Sequence, residues 1–222
     1  ETDMDRKIED LIQLCDRNYA LYQLNKDLLA NKIDEEEKEE IIILSQKCGR
    51  ELAERIKEEN PELDIEDYVR KLEIKIENKK SDDLKNFISF GAFQEPDTII
   101  LYDDTVKMTV EYIQKKNIEF LNKINIREMI ITHELFHYLE TRNPEMYSNR
   151  KKIVLWNLFS YKHLSRINAI SEIAASSFIK ELLNLEFVPN IIDIILLNSI
   201  DESIGERICN EISMQKKKVR NS

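Results

Sequence analysis

The sequence predicts an α+β protein, mostly helical, with a small sheet of about three strands and a helical extension at its N-terminal end. Three observations lead there. Only three glycines and four prolines occur in 222 residues, which leaves few places for tight hairpins. Apolar residues recur at helical spacing through most of the chain and read as strands only between residues 72 and 102. A hydrophobic share of 42% supplies one sizeable core, or a modest core with an appended segment. The expected division is an extension over residues 1–44, a main domain over 45–200, and a C-terminal helix with a charged tail over 201–222.

In the extension, Ile8, Leu11, Ile12, Leu21 and Leu24 belong to a broken 3.6-residue pattern from Met4 to about Lys32, which reads as one or two amphipathic helices. The acidic run Asp34 to Glu40 complements the dipole of a helix that continues through Ile41 to Ile56, with Leu44, Cys48, Leu52 and Ile56 at i, i+4 spacing. Asn60 and Pro61 stop it. Asp64, followed by Asp67, caps a short helix reaching about Lys71. Leu72, Ile74 and Ile76 then alternate with charged residues as in a strand, and two more strands, Phe87 to Phe93 and Thr98 to Tyr102, flank the turn Glu95-Pro96-Asp97. Val106, Val110, Ile113 and Leu121 mark another helix. Asn125 with Glu128 is a capping-box variant that opens a helix from Ile126 to about Glu140. The apolar stretch Ile153 to Phe159, with Trp156, reads as extra core in preference to a lid. A helix rich in small residues surrounds Glu172 and continues through Leu183, and Lys216 to Lys218 read as a solvated, frayed tail.

Charge narrows the function classes. Lys and Arg number 33 against 43 Asp and Glu, a formal charge of −10 that disfavours phosphate backbones and anionic lipid. Neither a nucleic-acid partner nor a membrane partner is expected, and the apolar stretch Ile191 to Leu197, broken by Asp193, is far shorter than the roughly 20 residues a bilayer crossing needs. Cys15, Cys48 and Cys209 lack metal-type spacing, and two of them sit inside helix-like apolar patterns, which suits buried thiols in a reducing compartment. The first ten residues are charged rather than organised as a secretory signal. A soluble, cytoplasmic protein is the expectation.

The chemistry lies at His133-Glu134-Leu135-Phe136-His137, the HExxH pattern. One helical turn apart, two imidazoles share a face and can grip a single Zn²⁺, while the glutamate beside the first is placed against the water that the metal activates. Hydrolytic zinc needs a third protein ligand and an open fourth position. Glu172 is the first choice, because Ser171, Ala174, Ala175, Ser176 and Ser177 surround one carboxylate with small residues on an otherwise apolar helix, which lets that helix come close. His163 ranks second as a ligand and is kept as a transition-state donor.

These residues together resemble the ImmA/IrrE-type zinc metallopeptidases, HExxH zincins with a gluzincin-like site. The resemblance covers roughly Gly49 to Leu185. Gly49 to Ile76, with its helix, short helix begun at Asp64-Ile65 and alternating strand, is similar to the opening segment of the family. Thr98 to Tyr102 resembles the strand ahead of the active-site helix, His133 to His137 match the central motif, and Glu172-x-x-Ala175-x-x-Phe178 with Leu182-Leu183 match the third-ligand helix. Two positions depart from the family pattern. Phe136 stands where glycine is usual and is expected to narrow the packing under the metal; Ser176 replaces Asn or Asp and is expected to give the ligands a weaker supporting hydrogen bond.

The resemblance implies a zincin-like domain over 45–200 in which His133, His137 and Glu172 hold Zn²⁺. Glu134 would act as general base toward the attacking water and pass the proton to the leaving amine. The implied activity is a zinc-dependent endopeptidase acting on a protein or peptide, in the family's manner a transcriptional repressor, with dependence on an activating signal or partner. Tyr138, Tyr147, Tyr161 and His163 are unordered candidates for the oxyanion donor, and Thr98 to Tyr102 is expected to add an extended peptide at the sheet edge. Two alternatives stand beside this reading: a gluzincin of another branch, and a zincin-fold binding or regulatory module without proteolysis, against which the intact Glu134 speaks. The N-terminal helices could cover the cleft, pair with another protein or enlarge the core, the last being preferred. No oligomeric state is implied.

Overall fold

Three polar side chains set helix starts where the sequence marks them. Asp34 accepts a hydrogen bond from the Glu37 amide at 2.8 Å, Asp64 from Asp67 at 2.9 Å and Asn125 from Glu128 at 3.1 Å. Each satisfies an amide that the helix itself leaves without a partner. The computed structural model describes residues 8, 10–12, 14–81, 89–116, 118, 121, 123–158 and 161–219. Its helices are α1 (Asp16–Lys26), α2 (Glu35–Glu59), α3 (Ile65–Lys71), α4 (Asp103–Lys116), α5 (Ile126–Thr141), α6 (Tyr147–Arg150), α7 (Asn168–Leu182), α8 (Ile191–Ile200) and α9 (Glu202–Val219). The strands are β1 (Lys75–Lys79), β2 (Gly91–Gln94), β3 (Thr98–Tyr102), β4 (Lys152–Leu158) and β5 (Tyr161–Arg166). The protein is thus mostly helical and α+β. Among the described residues no helix is long and apolar enough to cross a membrane.

The first three strands form one sheet in the order β1-β3-β2, with β1 parallel and β2 antiparallel to β3. Thr98 to Tyr102 is therefore the central strand, and the expectation that it offers a free edge is corrected. Thr98, Ile99, Ile100 and Leu101 are all buried, so the strand is covered on both faces as well as paired on both sides. The edge nearest α5 belongs to β2, which packs on that helix. Phe87 lies outside the described residues. A second correction concerns Ile153 to Phe159: β4 and β5 make an antiparallel hairpin in which Ile153 is buried but Val154 and Leu164 are exposed, so this segment is not simply core. The backbone is also helical through Lys216 to Lys218, inside α9, rather than a frayed tail.

Helix α2 buries Ile41, Ile42, Ser45, Gly49, Leu52, Ala53 and Ile56, whereas Leu44 and Cys48 are only half-buried. The stripe expected from i, i+4 spacing is thus turned, and the centre of the true face is made of small residues. Its partner is α7, in the most extensive helix contact of the fold. A side-chain carbon on Gly49 would collide with the Ala174 carbonyl and stand 2.9 Å from the Phe178 amide nitrogen. Ser45 turns its hydroxyl onto the Ile41 carbonyl at 2.6 Å, so this buried hydroxyl is satisfied within its own helix.

Both ends of α7 are tied down. Asp27 accepts from the Ala169 amide at 3.2 Å, and the Lys180 ammonium meets Asp16 at 2.6 Å. Lys57 donates to the Glu181 carboxylate and to Asn184, each at 2.8 Å. Along its length, Ile170 and Ile173 enter one hydrophobic cluster with Leu21, Leu24 and Ile41, while Ala174, Ala175 and Phe178 enter the larger one with Leu135 and Phe136. Ile8, Leu11 and Tyr19 belong to that larger cluster, so the N-terminal helices enlarge the core, and α2 runs unbroken through residues 44 and 45. With two faces buried, α7 presents Ser171, Glu172 and Ser176 on the remaining one.

Replacing Gly49 by valine should cost about 1–3 kcal/mol of stability, because a backbone carbonyl cannot yield as a side chain can. Urea unfolding of Gly49→Val checks this, and a midpoint equal to that of the native protein would refute the close crossing.

Candidate metal centre

Helix α5 is buried around most of its circumference, and His133 and His137 occupy the strip that stays half-open. Their Nε2 atoms lie 3.0 Å apart. Glu172 reaches them from α7, with Oε2 at 3.5 Å from His133 Nε2 and Oε1 at 3.6 Å from His137 Nε2. All three residues are half-buried, their ligating atoms lie within 4.8 Å of one another, and the cluster could hold a metal ion.

The ring of His137 is fixed from behind. Its Nδ1 is 3.4 Å from Glu140 Oε2 and 3.3 Å from Ser171 Oγ, and Ser171 donates to the same Glu140 oxygen at 2.7 Å. Phe136, wholly buried, packs edge-on to the His137 ring at 5.6 Å and against Phe178 at 5.6 Å. Phe136 therefore fills the core behind the ligand rather than the cleft in front. Ser176 donates to Asn190 at 2.7 Å, so the supporting hydrogen bonds expected of it come from Ser171 and Glu140 instead.

These contacts shape the proton affinities. Burial opposes a charge on His137, but the Glu140 hydrogen bond and the charges of Glu172, Glu134 and Glu140 outweigh it, so its pKa is raised above the ordinary imidazole value. Burial likewise opposes a charge on Glu140, yet His137 and the hydroxyls of Ser148 and Ser171 hold its pKa below the usual carboxylate value.

Beside the cluster lies a cleft of about 90 Å³ lined by His133, Glu134, Gly91, Asn190 and Asp193 among others. Glu134 is only 7% exposed although it lines this cleft. Gly91 of β2 lets the strand come against it: an added side-chain carbon there would stand 2.7 Å from the Ile100 carbonyl oxygen, 3.0 Å from Ile130 and 3.6 Å from Glu134 Oε1. Across the cleft, Asp193 of α8 is open to solvent yet ringed by protein, and desolvation, against the attraction of His133 and with the repulsion of Glu172, pushes its carboxyl up to about 6.

Sequence reasoning found His133, Glu134, His137 and Glu172, and the structure brings all four together. His163 falls in β5, opposite Trp156 in register; its side chain and that of Tyr161 lie outside the described residues. Tyr138 and Tyr147 do not reach the cleft. The Tyr138 hydroxyl faces the Leu72 carbonyl at 3.5 Å, and Tyr147, pushed up to about 12 by burial, lines a separate groove with Cys48. Glu140, Ser171, Gly91 and Asp193 were missed. A signal for Glu140 exists in the chain, because a carboxylate in the last turn of a helix opposes the dipole and needs a partner. No family model, curated protein or solved structure matches the chain.

Glu140→Gln should weaken divalent-metal affinity about 10- to 100-fold by loosening the His137 ring. Titration with Zn²⁺ against a chromophoric chelator measures it, and an unchanged constant would deny Glu140 that role. Protons compete for the same imidazole, so acidification should weaken metal binding, beginning above the ordinary imidazole range because the His137 pKa is raised.

Proposed function

We propose that this protein is a zinc-dependent endopeptidase of the ImmA/IrrE type, hydrolysing a peptide bond in a protein substrate. The observation that carries this reading is the convergence of His133, His137 and Glu172 beside the buried carboxylate of Glu134. Zinc bonds of about 2.0–2.1 Å in a tetrahedral shell put neighbouring ligand atoms about 3.3–3.4 Å apart. The three separations, 3.0, 3.5 and 3.6 Å, lie around that spacing. The donor set fits as well: with the His137 Nδ1 hydrogen directed at Glu140 and Ser171, its Nε2 lone pair faces the cluster. Zinc held there would polarise the scissile carbonyl and acidify water near neutral pH.

The chain's own groups supply the remainder. Glu134, against the cleft wall, is placed to take a proton from the attacking water and return it to the leaving amine. Among the described strands β2 lies at the edge of its sheet, and an extended substrate would add there beyond Gly91, whose amide and carbonyl are taken by the Ser89 hydroxyl. The helix, short helix, strand, hairpin and two ligand helices follow in the order that the resemblance to the family leads one to expect. A repressor protein as substrate rests on that resemblance alone, as does dependence on an activating partner. Three free cysteines, of which Cys15 is exposed and Cys209 buried, suit a reducing compartment such as the cytoplasm.

Glu134→Gln should retain zinc and lose about 10²- to 10⁴-fold in hydrolysis of a proteome-derived peptide library. His133→Ala should lose the zinc itself. Cleavage by Glu134→Gln at the native rate, or purified native protein that binds no zinc, would sink the peptidase reading; zinc without cleavage would turn it into a binding module.

A further inference from the structure

The walls of the cleft beside His133 and Glu134 are largely apolar, formed by Phe90, Met129, Ile130, Ile179 and Ile192. One charged residue stands among them on α8. The sequence of that helix, Ile191–Ile200, holds no charged side chain other than Asp193, and Ile192, Ile194, Ile195 and Leu196 around it are buried. Asp193 makes no hydrogen bond or ion pair with any described residue. It also stands outside the set of ligand atoms that could share one ion. Asp193 is exposed to the water of the cleft with apolar side chains on either side of it, so its carboxylate is open to a cationic group that enters there.

We propose that Asp193 sets the specificity of the cleft, selecting a substrate whose side chain next to the scissile bond combines an apolar stem with a cationic tip, lysine or arginine. This rests on the peptidase reading above and names its substrate class. The methylene stem lies along Met129, Ile130 and Ile192, as long basic side chains do on apolar surfaces, and the tip meets Asp193. A purely apolar side chain in the same place makes the apolar contacts alone and no bond with Asp193. An acidic one is repelled by Asp193 and Glu134 together. The formal charge of −10 attracts cationic segments in addition.

Two peptide hydroxamates that differ only in one side chain, lysine against norleucine, anchor on the zinc and present that side chain to the cleft. Their affinities are measured by calorimetry on zinc-loaded native protein and on Asp193→Asn. The lysine compound should bind roughly tenfold more tightly than the norleucine compound to the native protein, the advantage of one charge-assisted hydrogen bond. In Asp193→Asn the two should agree within about twofold, with zinc content and the norleucine affinity unchanged. Equal affinities on the native protein, or a lysine advantage that survives in Asp193→Asn, would overturn the assignment. Loss of zinc from Asp193→Asn would overturn it too, by making the residue a ligand. If neither compound binds the zinc-loaded protein, the peptidase reading itself has failed.

Discussion

Helix α7 can lie against α2 only because Gly49 has no side chain, and the placement of Glu172 depends on that. The Ala174 carbonyl occupies the space where a side-chain carbon would stand. A glutamate has a short reach, so the separation of its helix from α5 decides whether its oxygens come to 3.5 and 3.6 Å of the imidazoles or fall short. The small residues Ser45, Gly49 and Ala53 on one helix and Ala174 and Ala175 on the other act together here, since close-packed interiors transmit a change of spacing instead of absorbing it. The ties at Asp27, Asp16 and Lys57 then fix how far α7 is shifted along that crossing.

Orientation of the imidazoles is a second requirement, met by different residues. A histidine ring on a helix can turn about two bonds, and a metal site needs one setting of both. For His137 the setting is fixed by Glu140 and Ser171 at Nδ1 and by Phe136 against the ring. Ser171 and Glu172 are neighbours in the chain, so the helix that brings the third ligand also brings the hydroxyl that steadies the second. Loss of register in α7 would disturb both at once, which ties the local chemistry to the packing of the whole helix pair.

Much of this was legible in the sequence, and the parts that were not share a cause. The caps at Asp34, Asp64 and Asn125 depend on groups three residues apart, and the HExxH pair on one helical turn, so local spacing was enough. Glu172 could be chosen because small neighbours announce a close approach. The central place of β3 could not be read, since strand order depends on pairing between β1 and β3 across the intervening chain. The turned face of α2 misled for a related reason: Leu44 and Cys48 fit the periodicity, but the partner helix selects the face that lets backbones meet. The β4-β5 hairpin carries no glycine signal at all. Ser176 and Ser171 are indistinguishable by type, and only their helix positions assign one to Asn190 and the other to Glu140.

Charge at the site follows from the same placement. Glu134, Glu140, Glu172 and Asp193 stand around two imidazoles, and Lys26 and Arg166 lie in the groove on the other side of Glu172. With neutral imidazoles, one divalent ion cancels only half of the four carboxylate charges and leaves roughly two negative charges in place. That remainder is unevenly spread: Glu172 would be bound to the ion and Glu140 is engaged with His137 and Ser171, so the remaining charge falls on Glu134 and on Asp193, the latter offset in part by the attraction of Lys26. In the proposed reaction Glu134 accepts a proton. The negative field left for a ligand to answer is therefore that of Asp193, on a wall that otherwise offers hydrocarbon, the amide of Asn190 and the hydroxyls of Ser89 and Ser176.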